Sequence, residues 1–104
     1  MSVVPLPAST GQSAHDLANG ASDALIRRWI EPNPYHPGQA DARIRDAGVP
    51  VWALIGQLHA TQEGPASIAA GYVIPEEAVA AALAYYHRHQ HIIDDRLAAN
   101  AVEP

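Results

Sequence analysis

At 104 residues the chain is the size of one domain, which excludes the large enzyme architectures and leaves no room for a second independent core. Hydrophobic residues make up 48% and charged residues only 16%, so the apolar material suffices for a compact fold and a disordered acidic tail is excluded. Six basic residues, all arginine, against eleven acidic ones give a formal charge of -5, the wrong sign for gripping nucleic acid through the overall field.

Alanine dominates the apolar fraction and favours helix over strand. Cysteine is absent, which rules out disulfides, a thiolate zinc site and a cysteine nucleophile, and makes a cytoplasmic address the simplest expectation. The opening MSVVPLPASTGQSAHDLANG has neither the basic start nor the unbroken apolar stretch of a secretory signal. No run approaches the roughly 18 apolar residues of a membrane span.

In chain order, residues 1–20 mix Pro, Ser, Thr and Gly without periodicity and are expected to form a flexible leader. Residues 21–48 form an N-terminal arm. Within it, Leu25 to Ile30 is a short apolar segment, either a helical turn or an edge strand, which Pro32 and Pro34 stop. Glu31 to Gly38 contains three prolines and reads as a rigid loop, and Ala42 to Arg45 returns beside Trp29 as a second short strand closing a hairpin. Residues 49–100 are the helical domain. Pro50 suits a first helical position, and Val51, Leu54, Ile55 and Leu58 share one face of a helix that ends near Thr61. Pro65 opens a short second helix to Gly71, with Ile68 and Ala69 inward, and Pro75 opens a third on which Val79, Ala82, Leu83 and Tyr86 repeat the spacing. Around His89 and Gln90 that helix breaks. A final one follows with Ile93, Leu97 and Ala101 on its apolar edge. The expected core is Val51, Leu54, Ile55, Leu58, Ile68, Ile74, Val79, Leu83, Tyr86, Ile93 and Leu97.

This pattern predicts a mainly α protein of three or four helices around one core. A short helix, a tight bridge and a longer helix also describe a helix-turn-helix, with the longer helix offered to a major groove. Val73 departs from that pattern, since glycine is common at its position in the turn. A plain three-helix bundle fits the same residues.

Val49-Pro50-Val51-Trp52-Ala53-Leu54-Ile55, the short helix after Pro65, Ile74-Pro75-Glu76-Glu77-Ala78-Val79 and Ala82-Leu83-Ala84-Tyr85-Tyr86, taken in order, resemble the domain-of-unknown-function 433 family. Trp29-Ile30-Glu31-Pro32-Asn33-Pro34 is similar to the start of its antitoxin-like branch, and the likeness runs from about Ile26 to Asn100. The resemblance implies a homeodomain-like helix-turn-helix core with an extended N-terminal arm. It also implies an antitoxin of a type II toxin–antitoxin pair, which binds a PIN-like ribonuclease toxin and represses its own operon. Many members carry a Gly-Lys-Pro or Gly-Thr-Arg stretch before the first core helix, where this chain has Ala40-Asp41-Ala42-Arg43-Ile44 and Asp46-Ala47-Gly48.

On the helix-turn-helix reading, DNA contact falls to the outer face of the third helix, at Glu76, Glu77, Ala80, Ala81, Ala84, Tyr85 and Arg88. Carboxylates and alanines read bases poorly, so Arg27, Arg28, Arg43 and Arg45 in the arm are the expected phosphate contacts. Tyr85 neighbours Tyr86 on one helix, and with Tyr86 assigned inward, Tyr85 becomes a partner contact. Asp94 and Asp95, with Glu63 and Glu103, form an acidic surface suited to a basic nuclease. The arm residues Leu25, Ile26, Trp29 and Ile30 are expected to pack against a second copy as a homodimer. His87, His91 and Asp95 would share one face of an unbroken helix at metal-ligand spacing, but family members often have proline near Gln90, which starts a new helix there. No metal, cofactor or catalytic residue is expected, because no serine lies in a nucleophile elbow and no glycine loop cradles phosphate. Three functions remain open: antitoxin, stand-alone transcriptional regulator and protein interaction module without DNA binding.

Overall fold

Prolines set where three of the helices begin. In the computed structural model, which describes residues 20–102, Pro65 is the first residue of a helix, and Pro50 and Pro75 each stand in extended conformation immediately before one. A proline there loses no helical hydrogen bond, and its fixed φ aligns the chain for the first turn. The elements in order are helix α1 (20–29), strand β1 (Ile30–Glu31), a 3-10 turn (Gln39–Asp41), strand β2 (Arg43–Ile44), and helices α2 (Val51–Ala60), α3 (Pro65–Tyr72), α4 (Glu76–Arg88) and α5 (Gln90–Val102). The expected leader, residues 1–20, lies outside the described residues except for Gly20, which is already helical.

The segment Leu25–Ile30 is both of the alternatives its sequence allowed: a helix through Trp29, then a strand. β1 and β2 pair antiparallel, Ile30 opposite Ile44 and Glu31 opposite Arg43, so two isoleucines point into the core and an ion pair faces outward. The chain then turns through Asp46 and Gly48, both at positive φ, and the Val51 N–H donates to the Ala42 carbonyl at 2.9 Å, which ties the start of α2 to the hairpin.

α4 is the centre of the molecule. Ala78, Val79, Ala81, Ala82, Tyr85 and Tyr86 are all buried. At about 100° per residue these six positions form one continuous arc covering nearly half the helix circumference. α2 and α3 pack on this arc, and β1 reaches it from the arm side. The expected core holds at Val51, Leu54, Ile55, Ile68, Val79, Tyr86 and Ile93. Leu58, Ile74, Leu83 and Leu97 are instead half-buried residues at its rim, and the arm contributes Ile30, Ala42 and Ile44, which periodicity in the helices did not mark. α5 approaches α2 at Gly56, where a Cβ would lie only 2.9 Å from Leu97 Cδ2.

The axis turns by 113° between α3 and α4. Val73 makes that turn in the left-handed conformation, φ 58° and ψ 49°, while its N–H closes on the carbonyls of Ala69 and Ala70. A β-branched side chain is strained there. Its side chain is 89% exposed, so nothing in the packing repays the strain. At His89 the backbone leaves helical geometry, φ -126° and ψ 37°, and α5 starts at Gln90.

Two stability predictions follow from burial and from strain. Leu54→Ala should cost about 2–5 kcal/mol, whereas Leu83→Ala at the rim should cost about 1 kcal/mol or less, both read from urea unfolding. Val73→Gly should stabilise by about 1 kcal/mol, because the strain removed exceeds the entropy that glycine adds to the unfolded chain. Lower stability in the glycine variant would show that the left-handed turn is not the native one.

Candidate functional site

Five of the six arginines are held in ion pairs within the chain. Arg43 Nε lies 2.8 Å from Glu31 Oε2, and Arg45 Nη1 lies 3.5 Å from the other oxygen of the same carboxylate. Arg45 also donates to the backbone carbonyls of Arg27, Arg28 and Ile30 at 3.2–3.3 Å, capping the C-terminal end of α1. Arg88 pairs with Asp23, and Arg28 sits 4.0 Å from Glu77, so α1 runs antiparallel along one edge of α4. Arg96 grips both oxygens of Asp41 at 2.7 and 2.8 Å. Arg27 is the one arginine without an ion pair among the described residues, and it is exposed.

The structure therefore places the expected DNA-contact residues differently. Arg43 and Arg45 share the Glu31 carboxylate and brace the hairpin and the end of α1. Ala80 is exposed as expected, but Ala81 and Tyr85 are not on the outer face of α4. Tyr85 is 7% exposed, its hydroxyl donates to the Gln39 carbonyl at 2.8 Å, and its ring lies 4.4 Å from that of His89. This corrects its placement on the outer face of α4. Adjacent tyrosines are both buried because α4 is covered on two sides: Tyr86 faces the helices, and Tyr85 faces the arm.

Tyr86 donates to Asp94 Oδ1 at 2.8 Å, with His59 edge-on at 5.6 Å. The hydrogen bond to Asp94 is the main reason its ionisation is pushed above the usual tyrosine value of 10.0, and burial adds to it. Burial also raises Tyr85. Asp94 thus serves the α4–α5 junction, while Asp95 is exposed. Asp46, Glu76 and Asp95 are exposed and have no ion pair among the described residues. Glu103 lies outside them. The break at His89 removes the common face that His87, His91 and Asp95 would share, and among the described residues no group of three or more His, Asp or Glu side chains is placed to hold a metal ion.

The expected dimer residues are also relocated. Ile30 is buried, and Leu25, Ile26 and Trp29 pack against the chain's own core. What the arm leaves open is a groove of about 340 Å³ between α1, β1 and the 3-10 turn, walled by Ile26, Ile30, Pro32, Ala42 and Tyr85, with Glu31 and Gln39 as its polar members. Beside it the loop 33–37 projects outward. The Asn33 side-chain oxygen accepts from the N–H groups of Tyr35 at 2.9 Å and His36 at 3.3 Å, which fixes the loop and presents Tyr35, 79% exposed. Nothing in the spacing of the apolar residues marked this groove, because its walls come from four separate elements, α1, β1, the 3-10 turn and α4.

No protein-family model matches the chain, and neither a curated protein nor a solved structure does. Among the described residues no single helix is long and apolar enough to cross a membrane.

The raised ionisation of Tyr86 has a sign that can be checked. A phenol whose folded value exceeds its unfolded one contributes stability fully present below about pH 10 and lost as pH rises through the folded value. Thermal unfolding of the native chain should therefore fall steeply in alkali, and Tyr86→Phe should flatten that fall while leaving the smaller share due to Tyr85. An unchanged alkaline slope in the variant would remove the Tyr86–Asp94 bond as its cause.

Proposed function

We propose that this chain is an antitoxin-like protein of the domain-of-unknown-function 433 type, which binds and neutralises a basic, PIN-like ribonuclease. The resemblance of its ordered segments to that family suggests the class, and one structural observation carries the electrostatic part. Five of the six arginines are paired within the chain, leaving exposed carboxylates such as Glu76, Asp95 and Asp46 to outnumber the one unpaired cation, Arg27, among the described residues. Such a surface repels phosphate and attracts a protein that itself binds RNA through positive charge. Acidic steering raises the association rate with that partner, and occupation of its basic groove blocks substrate.

Operator DNA binding is the second reading, favoured by the 113° turn between α3 and α4, the angle of a helix-turn-helix pair. The charge on α4 opposes it: Glu76 and Glu77 open the helix, and Arg88, the arginine on it, is committed to Asp23. α1 also flanks the edge of α4 that would approach the groove. Binding to the chain's own promoter requires the nuclease partner to supply cations, and a shift of that promoter by this chain alone at low salt would reverse the order of the two readings.

Co-expression tests the main reading. Growth arrest caused by the gene adjoining the one for this chain should be relieved by the chain, and relieved less by a variant carrying Glu76→Lys and Asp95→Lys, whose circular dichroism should remain helical. Asp94 is left intact because reversing it would break the Tyr86 bond. If no adjoining gene is toxic, or rescue never occurs, an interaction module without a toxin replaces the antitoxin.

A further inference from the structure

We infer that the chain forms a two-fold dimer in which Tyr35 of each protomer enters the groove of the other. This surface is separate from the acidic one above and stands whether or not the partner is a nuclease. Among the described residues Tyr35 and Val73 are the large hydrophobic side chains left exposed, and only Tyr35 stands on a loop prepared to use it. Pro34 and Pro37 stiffen the loop, and the Asn33 side chain holds its turn. Ordering on association therefore costs little, and a rigid aromatic anchor is the commonest kind of interface hot spot.

The groove lies at the base of this same loop, with Pro32 on one stem and Gly38 and Gln39 on the other among its lining residues. That adjacency makes the surface self-complementary. Knob and hole sit side by side on one chain, so a two-fold axis passing between them satisfies both at once and closes the assembly at two. About 340 Å³ is ample for a phenol ring, the walls are largely apolar, and the Glu31 carboxylate and Gln39 side chain can accept from the hydroxyl. Each tyrosine buries about 150–250 Å². With a similar area lost by the groove walls they meet, two of them bring the total to about 600–1,000 Å², the size of a weak, reversible interface.

Sedimentation of the full-length chain over a concentration series should show a monomer–dimer equilibrium. Tyr35→Ala should weaken it by about tenfold or more while the thermal midpoint at low concentration stays put, because the side chain touches little within its own protomer. The absence of cysteine from the chain permits a direct check of the geometry. Mild oxidation of a mixture of Tyr35→Cys and Gln39→Cys chains should give a mixed disulfide dimer in higher yield than either variant alone. A chain that stays monomeric at every concentration, or a dimer that Tyr35→Ala leaves unchanged, overturns the inference. Dimerisation seen only after removal of residues 1–19 overturns it too, since the leader would then be the occupant of the groove.

Discussion

The fold depends on how little side chain α4 carries along its buried arc. Ala78, Ala81 and Ala82 offer one methyl group each, so neighbouring backbones can come close, and the space is filled by core residues of α2 and α3, among them Leu54, Ile55 and Ile68, and by β1, which carries Ile30. A helix with a bulky core face needs one wide neighbour. This one accepts small contacts from several directions and so becomes the hub on which the arm and the other helices meet.

Much of the helical framework was legible in the sequence because its signals are local. Proline before an apolar stripe marks a helix start whatever surrounds it, and Pro50, Pro65 and Pro75 do so here. The break near Gln90 could likewise be placed from the chain. What sequence reasoning missed depends on contacts far apart. Tyr85 was assigned outward because Tyr86 already faced inward, a sound inference for a helix with one covered side. It failed because the arm covers a second. Leu83 fits the periodic stripe but falls at the rim, since alanine-rich packing shifts the buried arc toward Ala78, Ala81 and Tyr85.

The arginines teach the same lesson about charge. Four of them in a 19-residue stretch of arm invite a nucleic-acid reading when seen as a string. In space Glu31 lies between two of them, and Arg45 is spent on the carbonyls that end α1. Whether a cation is available to a ligand is decided by what sits beside it across the sheet, and a composition total carries no trace of that.

The polar contacts that fasten the arm to the helices span long stretches of chain: 46 residues between Gln39 and Tyr85, 55 between Asp41 and Arg96, and 65 between Asp23 and Arg88. Contacts of such separation form late, because closing a large loop must precede the reward. α2, α3 and α4 are consecutive and joined by short turns, whereas the arm is fastened to α4 and α5 through these distant partners. The groove beside Tyr35 takes its walls from both sides of one such closure, Ile26, Ile30 and Ala42 from the arm and Tyr85 from α4. The surface inferred to pair with another copy therefore depends on a contact made across 46 residues of chain, and an arm not docked on α4 has no such groove to offer.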